Sequence, residues 1–262
     1  MNPQNHAELN RRHAVKGVLT LLLLCVHCSL ATSQSYENAP FDLARSTLPP
    51  GYYGYDPEAF VKGYQEAVAN EQRARRKDEF ETTAEYQKRL KELEAQNPFV
   101  SKTYAFAAVP SRVSYEADTQ TFSLNFKPDP APQNNLYHSV LLKHGARDMG
   151  SYTAQNAFGA MFTVTKSLFS SFELWLPTTE GPTDCGVSVT VPAPEAKAMK
   201  PNVSALVVVR PVKPYASSDS SFKRATFSEP HENISERGAI YGRVVKVIFY
   251  DRYGGRILGS CP

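Results

Sequence analysis

The pattern of apolar and polar positions divides the chain into four stretches. Residues 17–26 (GVLTLLLLCV) form an unbroken apolar run behind Arg11, Arg12 and Lys16, which is the order of a secretory signal. The run stops at His27, short of the roughly 20 residues that a membrane-spanning helix needs. Ser29-Leu30-Ala31 then supplies the small residues of a cleavage site, so residues 1–31 read as a signal peptide cut after Ala31, with a cut after Ser33 as the alternative. Arg11-Arg12 followed by Lys16 also has twin-arginine spacing. The leucine-rich core, and Ala14 where such signals carry phenylalanine, favour the general secretory route. Residues 32–55 show no period and hold Pro40, Pro49, Pro50 and Gly51, which predicts an extended leader.

A helical period follows over residues 56–98. Asp56-Pro57-Glu58 is a cap, a first-turn proline and an acid at the positive helix end. Phe60, Val61, Tyr64, Ala67 and Val68 then mark one apolar face. Thr82 and Glu85 form a capping box ahead of a second stripe, Tyr86, Leu90 and Leu93, which Asn97-Pro98 ends. Two single-faced helices on a short connection predict an αα-hairpin laid against something larger.

Over residues 99–262 the period becomes two. Phe122, Leu124 and Phe126 alternate with Ser123 and Asn125, and pair across a 118–120 turn with Val113 and Tyr115. Further strands are predicted at 136–143, 158–166, 172–176, 187–191, 203–210, 239–250 and 256–260. A short helix is predicted within 192–201, and a long polar connection over 213–236. The run 203–210 (VSALVVVR) reads as buried on both faces. The expected class is α+β: an αα-hairpin packed on a mainly antiparallel β-sandwich or barrel-like domain.

Composition adds the compartment. With residues 1–31 removed, Cys25 and Cys28 are lost and Cys185 and Cys261 remain, an even pair that predicts one disulfide in an oxidising, extracytoplasmic setting. A net charge of +3 over 262 residues gives no reason to expect a nucleic-acid partner. The basic run at 73–77 is answered at once by Asp78, Glu79 and Glu81.

Candidate chemistry is sparse. His231-Glu232 lacks the second histidine of a zinc-protease helix. Ser220-Ser221-Phe222-Lys223 fits S-x-x-K without the other motifs of the penicillin-binding enzymes. His138, His144 and Asp148 would need a nucleophile beside them to form a triad. Asn156 and Gly159 read as a tight turn. No catalytic, cofactor-binding or metal residue is therefore assigned.

Two segments carry a resemblance. Residues 80–89 (FETTAEYQKR) are similar to an F-E-T-x-x-E-[FY]-x-x-R stretch, and residues 152–160 (YTAQNAFGA) to a Y-x-x-x-N-A-F-G-A stretch, of exported bacterial proteins without a known activity. The resemblance implies a bacterial, extracytoplasmic context and no more. The expected function is a non-enzymatic exported binding or envelope-associated module. The alternatives are an extracytoplasmic hydrolase and an accessory subunit of an envelope complex.

Overall fold

The computed structural model describes residues 35–262 apart from 75, 98, 100, 132–134 and 181–183. The expected signal peptide and Ala31 lie outside the described residues. Residues 34–262 form one compact unit.

Among the described residues, helices α1 (Pro57–Ala74) and α2 (Thr83–Gln96) precede ten strands. These are β1 (Tyr104–Ala108), β2 (Arg112–Glu116), β3 (Thr121–Phe126), β4 (Asp129–Pro130), β5 (Tyr137–Gln155), β6 (Met161–Pro177), β7 (Cys185–Thr190), β8 (Val203–Lys223), β9 (His231–Asp251) and β10 (Ile257–Cys261). The helix α3 (Ala193–Met199) falls in the predicted 192–201 segment. A seven-stranded sheet runs β1-β8-β9-β6-β5-β4, with β10 also on β9, and a second sheet runs β2-β3-β7. The fold is thus α+β and dominated by strands. One correction follows: the large sheet ends at β1 and β4 and does not close into a barrel. Its pairings are mainly antiparallel as expected, with β6 and β9 the one parallel pair among the described residues.

The helix starts form as the sequence dictates. The Asp56 carboxylate accepts from the Glu58 amide at 3.1 Å. Thr82 and Glu85 satisfy each other, with Thr82 N–H donating to Glu85 Oε2 at 2.9 Å and Glu85 N–H to Thr82 Oγ1 at 3.3 Å. Phe60 and Val61 of α1 enter the core, and Gln65 Nε2 bonds Ser218 Oγ on β8. Lys143 of β5 holds the helix start, with Nζ 3.1 Å from Asp56 and 2.8 Å from Glu58. Burial would lower the Lys143 pKa, but hydrogen bonds to Glu58 and Asp56 outweigh it and raise the pKa.

The apolar run of β8 is buried on both faces. Ala205, Val207 and Val209 point into the main core with Val247 and Phe249 of β9 and Phe122 and Leu124 of β3. Leu206 and Val208 point the other way, with Ile248 and Tyr250. This outer cluster is closed by Phe41, Leu48 and Tyr52 of the predicted leader, which is extended in form but packed. Tyr250 donates its hydroxyl to the Tyr52 carbonyl at 2.6 Å, and burial raises its pKa. Gly54 has φ +72°, and a Cβ there would overlap the Ala105 carbonyl oxygen, so the leader meets the sheet backbone at closest approach.

Cys185 begins β7 on the small sheet and Cys261 ends β10 on the large one. Their sulfurs are 2.01 Å apart and their Cα atoms 5.8 Å, at disulfide distance. The pair joins the two sheets and is not between hydrogen-bonded neighbours.

Two outcomes are expected. Gly54→Ala will destabilise by at least about 1 kcal/mol, since alanine disfavours positive φ and the cover must lift. Urea melts will show it, together with faster cleavage of residues 35–55 in limited proteolysis. Cys261→Ser will lower stability by roughly 2–4 kcal/mol, read in the same melts with and without reductant. An unchanged midpoint would refute either statement.

Candidate functional site: a four-stranded arm

The predicted polar connection over 213–236 is a correction: most of it is strand. β8 runs to Lys223, and β9 begins at His231. β5 and β6 likewise outrun their apolar centres, from 137 to 155 and from 161 to 177. The four far halves form an arm in the order β5-β6-β9-β8. Residues 144–153 and 217–224 are all exposed, so neither face of those strands needed an apolar period.

Because β6 and β9 are parallel, the two hairpin tips lie side by side. Thr165 N–H donates to the Pro230 carbonyl at 3.0 Å, and Phe162 meets Phe227 edge-on with ring centroids 5.4 Å apart. The first tip is the predicted turn: Asn156 Oδ1 accepts from the amides of Phe158 at 3.0 Å and Ala160 at 2.9 Å, and Gly159 takes φ +85°. This rigid loop lifts Phe158 into solvent, where it is 96% exposed, with Met161 at 63% and Phe227 at 61% nearby.

The face continuous with the main core carries a polar knot. Tyr152 donates its hydroxyl to Glu232 Oε1 at 2.8 Å. Lys166 lies 3.9 Å from Glu232 Oε2 and 4.7 Å above the Tyr152 ring, a cation–π contact. The hydrogen bond to the Glu232 carboxylate, with some burial, raises the Tyr152 pKa. Further along this face Leu168, Ile234 and Phe222 stand in one row across β6, β9 and β8. On the opposite face Tyr137, Trp175 and Tyr241 contact one another at 5.4–5.6 Å.

The other residues singled out in the sequence do not converge. Ser220 and Lys223 lie on one strand and point to opposite faces, and Lys223 pairs with Glu229 at 2.6 Å. His138 sits opposite Leu176 at the base of β5, His144 opposite Ser171, and Asp148 accepts from the Gly150 amide. Glu232 is engaged with Tyr152, and His231 Nδ1 bonds Thr165 Oγ1. Among the described residues no group of His, Cys, Asp and Glu is arranged to hold a metal, and no helix is long and apolar enough to cross a membrane. Sequence reading missed the knot because its members lie up to 80 residues apart and join only through the parallel β6–β9 pair.

The chain matches no family model, no curated protein and no solved structure.

The knot predicts a spectroscopic outcome. A carboxylate accepting the phenolic proton favours the protonated phenol, so Tyr152 titrates above the ordinary tyrosine range. Glu232→Gln will bring it back down. NMR titration of the Tyr152 ring checks this, and an unchanged midpoint would show that the bond does not form in solution.

Proposed function

We propose that the chain is an exported, non-enzymatic binding module that presents its arm to another component of a bacterial envelope. One observation carries this reading. Phe158, Met161 and Phe227 stand exposed at the end of an arm that adds little to the core, and apolar groups so placed mark contact surfaces. Export is supported by the order of residues 11–31 and by the Cys185–Cys261 pair, since such bonds persist outside the reducing cytoplasm. The bacterial setting rests on the FETTAEYQKR and YTAQNAFGA segments. In this reading α1 and α2 act as one hairpin clamped on an open two-sheet sandwich, which leaves the arm as the working end.

A photo-crosslinking residue in place of Phe158, in cells that export the chain, tests both parts. The mature protein should begin at Thr32 or Gln34 and give a discrete adduct with an envelope component. The same probe on the core side, at Glu195, should give none. A chain still starting at Met1, or a folded protein whose tip yields no adduct, would overturn the proposal.

A further inference from the structure

The arm ends in two long free edges, and they are built differently. A free strand edge exposes a row of backbone donors and acceptors, and proteins guard such rows with bulges, prolines and kinks. The β5 edge is guarded. Its ladder breaks register between Leu141 and Lys143 and again between Asp148 and Ser151, and Gly150 takes φ +88°. The β8 edge is guarded at its core end, where the ladder breaks register between Pro211 and Ala216 around Pro214 and where Gln65 of α1 reaches Ser218. From Ala216 to Lys223 it pairs with β9 without interruption. β1 reaches β8 only at residues 205–209, and residues 217–224 are all exposed.

The sequence of this open edge is self-complementary. In an antiparallel pair of two copies centred on Ser221, Ser220 faces Phe222 of the other copy, and Asp219 faces its Lys223. This charge pair occurs twice by symmetry. The centring also keeps like faces together, because side chains directly opposite across a ladder share a face. Phe222 is 59% exposed. Directly across the seam it meets Ser220 of the second copy, and the two Phe222 rings are diagonal neighbours within aromatic reach. Centring on Asp219 would instead oppose two carboxylates. Lys223 holds Glu229 in its own chain, but an ammonium has three donors and can serve both carboxylates.

We propose that the β8 edge, residues 219–223, is the interface of a two-fold symmetric homodimer in which two arms join into one eight-stranded sheet. A closed isologous contact of this kind occupies the edge and leaves no open template. It is independent of what the tips bind, so failure of the tip adduct does not bear on it.

Sedimentation analysis of the exported chain tests the pairing by charge reversal. The native protein should dimerise reversibly. Asp219→Lys places Lys opposite Lys223, and Lys223→Asp places Asp opposite Asp219, so each variant alone should dimerise about tenfold or more weakly. An equimolar mixture of the two variants should recover a heterodimer, because both pairs are then opposite in sign. The double variant should recover the homodimer. Thermal melts establish that every variant is folded. A monomer at all concentrations, a dimer indifferent to either reversal, or a mixture that fails to recover would each overturn the proposal, including the case in which the edge takes a strand from a different protein.

Discussion

The structure depends on one constraint: the β8–β9 pair is apolar on both faces where it crosses the core. Ala205 to Val209 and Val247 to Tyr250 alternate between two clusters, so each face requires a cover. The inner face is covered by the small sheet, α1 and α3. The outer face is covered by residues 35–55, a segment with almost no regular structure. Burial of side chains such as Leu206 and Ile248 contributes roughly 1.5–3 kcal/mol each, which favours a packed leader over a solvated one. Phe41, Leu48 and Tyr52 therefore hold the leader, and Gly54 against Ala105 and Gly255 against Leu48 let the backbones approach closely enough.

The same two-faced burial explains the disulfide. The small sheet meets the large one through β7 and β10, where a Cβ on Gly259 would overlap Val187. Shape fit of this kind is sensitive to fraying of a chain end. A covalent link at Cys261, the last residue of β10, keeps that strand in place on β9 and ties the two sheets together.

Much of this was legible in sequence. The caps at Asp56 and Thr82, the 118–120 turn, the 251–255 return and the doubly buried 203–210 run each follow from local chemistry that the fold respects. The arm was not legible. Segments such as Ser217–Ser221 and His144–Ser151 carry no apolar alternation, because a strand with solvent on both faces has nothing to alternate. Their strand state comes from the ladder that the apolar halves of the same strands begin. The leader's packing left little trace for a related reason: Phe41, Leu48 and Tyr52 fit no period because they answer to a surface already formed. The Tyr152–Lys166–Glu232 knot depends on a parallel pairing that no local signal announces.

The parallel contact of β6 with β9 also governs how this chain can vary over generations. Side chains alternate faces with every residue, so removing one residue from a single arm strand would turn its remaining outer half inside out. It would also part Phe162 from Phe227. Loss of two residues from one strand alone would leave its neighbours overhanging. The arm can lengthen or shorten cleanly only in steps of two residues per strand, taken in both hairpins together, even though their turns, at 156–160 and 224–230, lie about 70 residues apart in the sequence. Its reach is therefore a slowly changing property.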